Sequence, residues 1–193
     1  MATKLPFLSD EHHFAIANVA TEAAKLDHAI DRLVYLTIEP DLVSQFLVKT
    51  VPADRLVEIL RLALLAELPS YATHINALFV RIKNVRKERN EVLHWLYEAT
   101  DSPTIVRFTD KRAGRERNPK DYTASGIQKI AANTADSFNE LLEWWDLYNW
   151  YHGVQLHGKR GQPVHPPRWA LPKRLHPPDK RKPRARPPRT DLK

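Results

Sequence analysis

Three residues in the stretch from Lys87 to Tyr97 are of types that can carry out acid–base and phosphate chemistry: Arg89, Asn90 and His94. Histidine exchanges protons near neutral pH, and arginine is a permanent cation whose planar fork matches the oxygen atoms of a phosphate. Asparagine can hydrogen-bond to either group. The rest of the stretch would suit any packed helix. It therefore allows two interpretations, a structural helix with a charged edge or an active site.

A helix through these residues would place Arg89 in the middle of an apolar face. The other members of that face are Leu78, Ile82, Val85, Val92 and Leu96. His94 falls about 140° away on a polar flank, one turn from Asn90. A charge at the centre of an apolar face is costly to bury unless it is paired or hydrogen-bonded. We therefore expect Arg89 to meet a carboxylate of a neighbouring helix, to face a polar cleft or to lie at a subunit boundary.

The sequence Arg89-Asn-Glu-Val-Leu-His94 resembles the signature of the HEPN superfamily, which is an arginine, four to six residues and a histidine, often with a polar residue after the arginine. Asn90 occupies that polar position here. The helical context is also similar to that of the family, across roughly residues 9 to 152. Spacing alone is not specific, because Arg160 and His165 are spaced in the same way. Helical placement and the apolar face around Arg89 distinguish the first pair.

The resemblance implies a metal-independent endoribonuclease that needs no cofactor and works as a homodimer, with two copies of the motif facing each other. His94 would take the proton from a ribose 2′-OH or give one to the leaving 5′-oxygen. Arg89 would stabilise the charge that builds on the phosphate, and Asn90 would orient His94 or bind a phosphate oxygen. This chemistry would leave a 2′,3′-cyclic phosphate.

The resemblance further implies a toxin or a phage-defence effector, with RNA as its substrate and an antitoxin protein as its partner. Some toxin members carry a tyrosine two residues after the histidine, which the antitoxin modifies. Position 96 is a leucine here, so the resemblance does not extend to that site. Many HEPN proteins are not catalytic, which leaves an alternative open: a helical dimer that binds nucleic acid through a basic tail.

A metal site is a third interpretation of the same residues. Glu91-Val-Leu-His94 is a Glu-x-x-His pair, which is one half of a di-iron carboxylate site in helical bundles. Such a site needs a second pair of this kind and two further glutamates. The chain has no second Glu-x-x-His pair. We therefore expect neither a metal nor a cofactor.

Helical periodicity dominates the elements that would position the motif. The predicted helices cover residues 9–40, 41–49, 52–69, 71–99 and 125–152. Residues 101–123 break this pattern, and the alternating, β-branched segment 104–109 predicts a strand in a small hairpin or loop insertion. The predicted fold class is therefore all-α, a HEPN-like bundle of four to five helices with that insertion.

The charge of the chain is divided unevenly. Residues 159–193 contain twelve Lys and Arg and two Asp, a net charge of +10, whereas the whole chain carries +7, so the remainder carries −3. Nine of the fifteen prolines also lie in this last segment. We predict a helical domain over residues 1–152 and a disordered, basic, proline-rich tail over 153–193. The predicted nucleic-acid contacts are Arg107, Arg112, Arg115, Lys180, Arg181, Lys182, Arg184, Arg186 and Arg189.

Composition limits the cellular setting. The chain has no cysteine, which excludes disulfides and cysteine-based zinc sites. Its first residues lack the charged and apolar regions of a signal peptide, and no apolar run approaches the ~20 residues that span a bilayer. We therefore expect a cytoplasmic protein that does not enter a membrane.

Overall fold

A computed structural model describes residues 8–38, 46, 49–94, 96–100, 104–109, 120–157, 166 and 170–175 of the chain. Within these residues the α-helices are α1 (Asp10–Thr37), α2 (Ala53–Glu67), α3 (Ala72–His94) and α4 (Ala124–His157). Short 3-10 turns lie at Pro69–Tyr71 and Lys173–Leu175. The strands are β1 (Leu96–Ala99), β2 (Ile105–Thr109) and β3 (Lys120–Thr123).

Helix α1 is the element against which the other helices pack. It begins after Ser9, whose side chain accepts a hydrogen bond from the backbone N–H of His12, and this cap satisfies one of the free amides of the first turn. Its apolar stripe is buried and includes Val19, Leu26 and Ile30. Helix α4 runs beside α1, and Asn18 donates to Gln128 across this contact at 3.0 Å.

Two buried clusters make up the core. The larger one joins the four helices around the fully buried Trp144. The smaller one lies under the sheet and contains Val19, Val92, Phe108 and Ile127. Val92 belongs to α3, so the residues next to the motif contribute to the second cluster. The C-terminal part of α3 is thereby held between α1, α4 and the sheet.

The three strands form an antiparallel sheet in the order β1-β2-β3. Phe108 packs edge-on against Tyr97 and Tyr122, with ring centroids 4.9 and 5.1 Å apart. The predicted strand at 104–109 is confirmed, since β2 covers Ile105–Thr109. The predicted helix at 71–99 extends too far, because α3 ends at His94 and Leu96–Ala99 pair with β2.

The prediction of an all-α bundle with a small insertion is confirmed. No helix in the part of the chain that the structure describes is long and apolar enough to cross a membrane. The predicted helix at 41–49 lies almost wholly outside the described residues, as do residues 110–119 between β2 and β3.

The last helix extends further along the chain than the predicted 125–152. Helix α4 continues past the boundary predicted at 152 and ends at His157. Gly153 costs a helix only about 1 kcal/mol, which is too little to end one that is anchored by aromatic side chains in the core. Ala170 is buried against this core, and the backbone N–H of Lys173 donates to Glu143 Oε2 at 3.0 Å. Beyond the end of α4, the structure describes only residues 166 and 170–175 of the predicted tail.

We predict that the sheet depends on its central phenylalanine. Phe108→Ala removes a fully buried ring and should lower the free energy of unfolding by about 3–5 kcal/mol. Phe14→Ala is the matched control, because that ring is 67% exposed and should cost less than about 0.5 kcal/mol. Urea unfolding followed by circular dichroism measures both. Equal losses in the two variants would contradict the packing described for β2.

Candidate active-site groove between helices α2 and α3

The two faces of α3 carry different chemistry near its C-terminus. Lys83, Lys87, Asn90 and His94 follow one another at steps of three and four residues, so they form one stripe on the helix. The stripe faces the side on which α2 packs, since all but His94 line a groove between the two helices. Arg89 lies on the other side of α3 and contacts α1 instead. The three residues of the predicted site are therefore divided between two faces.

Arg89 meets a carboxylate, which is one of the three outcomes expected for it. Its Nη1 donates to Asp27 Oδ2 of α1 at 2.6 Å, and its side chain is 16% exposed. Its Nε donates to Asn90 Oδ1 at 2.9 Å. Arg89 therefore neutralises Asp27 and at the same time holds the amide of Asn90, whose side chain reaches the groove.

A second arginine, Arg86, shares the same carboxylate. Its Nε lies 3.3 Å from Asp27 Oδ1, within ion-pair distance but without the alignment of a hydrogen bond. Its Nη1 donates to the carbonyl of Ala53 and to Asp54 Oδ1, both at 3.2 Å. The Arg86 side chain is only 11% exposed, so it is buried more deeply than that of Arg89. Burial and the charge of Asp27 raise the pKa of the neighbouring Asp31.

The groove between α2 and α3 has a volume of about 930 Å³. Ten residues line it: Pro52, Asp54, Arg55, Val57, Glu58, Lys83, Arg86, Lys87, Asn90 and Glu91. Asn90 is the predicted catalytic residue among them. His94 is exposed and lies one turn beyond Asn90, at the end of the groove where α3 stops. His94 does not line the groove itself, but a substrate that followed the stripe past Asn90 would reach the imidazole.

Glu91, inside the motif, connects α3 to the sheet. Its side chain is 6% exposed and accepts hydrogen bonds from Lys120 Nζ at 2.6 Å and from the Tyr122 hydroxyl at 3.1 Å. Burial, together with the negative charge of Glu91, raises the pKa of Tyr122 to about 12. These contacts fix the end of α3 against β3, and with it the turn that carries His94.

The structure does not gather metal ligands around the Glu-x-x-His pair. Nowhere in the part of the chain that the structure describes do three or more His, Asp or Glu side chains come together as a metal site. Glu91, which would be the first ligand of such a site, is occupied by Lys120 and Tyr122.

One of the predicted nucleic-acid contacts has a definite place in the structure. Arg107 donates to both oxygens of Asp121 across strands β2 and β3, at 2.8 and 3.0 Å. This pairing lowers the pKa of Asp121. Arg107 is thus partly neutralised, which weakens it as a phosphate ligand. The remaining predicted contacts lie outside the described residues: Arg112, Arg115, Lys180, Arg181, Lys182, Arg184, Arg186 and Arg189.

Sequence reasoning missed Asp27 and Arg86. Asp27 had a signal, since it follows Ala23 by four residues and precedes Ile30 by three, both on the buried stripe of α1. Arg86 lies one turn before Arg89, so it belongs to the same side of α3. Two cations and one carboxylate beside apolar stripes indicate an ion-pair cluster between helices.

The chain was compared with protein-family models, with curated proteins and with solved structures, and no match was found in any of the three. The candidate site therefore depends on the contacts described above.

We predict that Asp27 stabilises the fold by neutralising the two arginines. Asp27→Asn keeps the shape of the side chain but leaves Arg86 and Arg89 without its charge, and should lower the free energy of unfolding by about 1–3 kcal/mol. Asp146→Asn is the control, because Asp146 is exposed on α4. Urea unfolding measures both, and a loss below about 0.5 kcal/mol in Asp27→Asn would show that the cluster contributes little.

A second prediction concerns Tyr122 and pH. Tyr122→Phe removes the hydrogen bond to Glu91 and should cost about 1 kcal/mol near neutral pH. The pKa of Tyr122 is higher in the folded protein than its ordinary value of 10.0, so its contribution is complete below pH 10 and is lost as the pH rises towards 12. The stability difference between the parent protein and Tyr122→Phe should therefore shrink over this window. A difference that stays constant in alkaline urea titrations would refute the assignment.

Proposed function

We propose that this chain is a HEPN-like, metal-independent endoribonuclease that acts as a homodimer and uses His94 as its acid–base group. The observation that carries the proposal is the position of His94, which is exposed at the end of a stripe with Lys83, Lys87 and Asn90. An imidazole one helical turn from a groove that contains lysines and arginines is where an RNA phosphate and a proton-transfer group could meet.

In the proposed reaction a neutral His94 takes the proton of a ribose 2′-OH. The 2′-oxygen then forms a bond to the adjacent phosphorus, and the bond from phosphorus to the 5′-oxygen breaks. A protonated His94, supplied by the second copy of the chain in the dimer, returns a proton to that oxygen. The products are a 2′,3′-cyclic phosphate and a 5′-hydroxyl, and the step requires no outside oxidant or reductant.

The contacts of Arg89 support a different role from the one implied by the family. Arg89 would have to release Asp27 before it could stabilise a phosphate, because that carboxylate occupies its Nη1 at 2.6 Å. The hydrogen bond from Arg89 to Asn90, in contrast, is already formed in the structure and requires no rearrangement. We therefore assign Arg89 as a positioning residue that holds the Asn90 amide at the groove, where the amide can bind a phosphate oxygen.

The same resemblance extends the proposal to biology: a cytoplasmic toxin or phage-defence effector that is held in check by an antitoxin protein.

A second candidate function is a non-catalytic dimer that binds nucleic acid through its basic tail. The pairing of Arg89 with Asp27 favours it, because an arginine committed to an internal carboxylate serves the fold. The net charge of +10 on residues 159–193 supplies the electrostatic attraction that such binding needs.

Incubation of the purified protein with structured and unstructured RNA in excess EDTA tests the leading proposal. We expect cleavage that leaves cyclic phosphate ends, and a fall in rate of at least about 100-fold in His94→Ala. His28→Ala is the matched control, since His28 is an exposed histidine on α1 and should keep full activity.

Two outcomes would overturn the proposal: full activity in His94→Ala, or no cleavage of any RNA. If RNA is bound tightly but never cut by the parent protein, the non-catalytic candidate takes its place.

A further inference from the structure

We infer that the groove between α2 and α3 binds the sugar–phosphate backbone of a single RNA strand and leads it along Lys87 and Asn90 to His94. This inference rests on the proposed function, because it names the path by which the substrate reaches the imidazole. It concerns the groove described above, whose lining residues all lie between positions 52 and 91 of the chain. The charges, length and lining of the groove support it.

The groove retains positive charge after its internal ion pairs are counted. Each carboxylate of the lining already has a cation. Asp54 accepts from Arg86, and Glu91 accepts from Lys120. Glu58 is bound closely by Arg61, which lowers the pKa of Glu58 to about 2 and keeps it ionised. Lys120 and Arg61 do not line the groove, so they neutralise Glu91 and Glu58 without using the cations of the lining.

The cations that remain face the groove from both sides. Arg55 of α2 and Lys87 of α3 are exposed and have no ion partner among the residues that the structure describes. Lys83 is held only at 3.5 Å from Glu58, and more than half of its side chain is exposed. The groove therefore carries surplus positive charge on opposite walls, as expected for a site that encloses an anionic chain.

The stripe on α3 is long enough to follow an extended chain. The eleven steps from Lys83 to His94 rise about 1.5 Å each, which gives a length of about 16.5 Å. Polar groups thus recur every ~4.5 to 6 Å along the stripe. A stripe of this length matches several successive nucleotides, whereas a single phosphate would use one or two of these side chains.

The lining of the groove consists mainly of charged and polar side chains. The ten side chains that line the groove, all of them described by the structure, include no aromatic ring on which a base could stack. Contacts would therefore fall on phosphates and sugars, with little preference for sequence. An acidic helix from a protein partner would dock through apolar side chains, and the lining has only two, Pro52 and the fully buried Val57. A nucleic-acid backbone is the better match.

The absence of cysteine from the chain allows a direct test. In a His94→Ala background, so that RNA is not consumed, Pro52→Cys places a unique thiol at the groove. Pro52 is exposed and makes no side-chain hydrogen bond as the N-cap of α2. Ala132→Cys is the matched control, because Ala132 is a neutral, exposed residue of α4. A benzophenone maleimide attached to each thiol is then photolysed in the presence of a short, labelled single-stranded RNA.

We expect several-fold more crosslinking from position 52 than from position 132. Adding Lys87→Glu should reduce the crosslink at position 52 several-fold, whereas Lys129→Glu on α4 should not. Lys83→Cys provides a second groove position, on the opposite wall, should Pro52→Cys fold poorly. Equal crosslinking at the groove and control positions, or a crosslink unaffected by Lys87→Glu, would overturn the inference.

This readout is independent of catalysis and of the tail. The tail is present in every variant, so a crosslink that depended on the tail alone would not respond to Lys87→Glu. If the groove crosslinks to RNA but the parent protein never cuts RNA, the proposed function fails and the groove remains a binding site. If the protein cuts RNA but the groove does not crosslink, the groove inference fails and the proposed function stands.

Discussion

Two arginines one turn apart on α3 share the carboxylate of Asp27 on α1, and the placement of the motif depends on this cluster. Arg86 and Arg89 are both largely buried, and a buried cation without a partner costs several kcal/mol. Asp27 offsets that cost for both arginines and joins two helices that are distant in sequence. The pairing limits how far α3 can rotate or slide against α1. The stripe on its opposite side is thereby directed towards α2.

A second ionic contact restricts the other end of the motif. Glu91 is buried against the sheet by Lys120 and Tyr122, immediately before the turn that carries His94. Helix α3 is therefore held by α1 on one side and by β3 on the other. The arrangement also explains why the small sheet interrupts an all-α bundle. Its strands cover the end of α3 and supply the cation and the hydroxyl that a buried glutamate requires.

Because α3 has a structural face and a polar face, the residues of the motif have different roles. The side of Arg89 holds the bundle together, whereas Asn90 and His94 belong to the side that a substrate could reach. Asn90 connects the two, because it accepts a hydrogen bond from Arg89 and lines the groove. This link would let an internal ion pair position a group at the groove without contact between Arg89 and the substrate.

The amino-acid sequence by itself determined the helices and their buried stripes, the strand at Ile105–Thr109 and the requirement that Arg89 have a partner. These features follow from local periodicity and from the cost of burying a charge, which act over a few residues. Only the tertiary structure decided that the partner is Asp27, 62 residues away, and that Arg86 is buried still more deeply. It also decided that α3 ends at His94, because the pairing of Leu96–Ala99 with β2 outweighs the helical pattern of the same residues. Contacts of this kind depend on how whole elements pack, and the spacing of residues along the sequence does not reveal them.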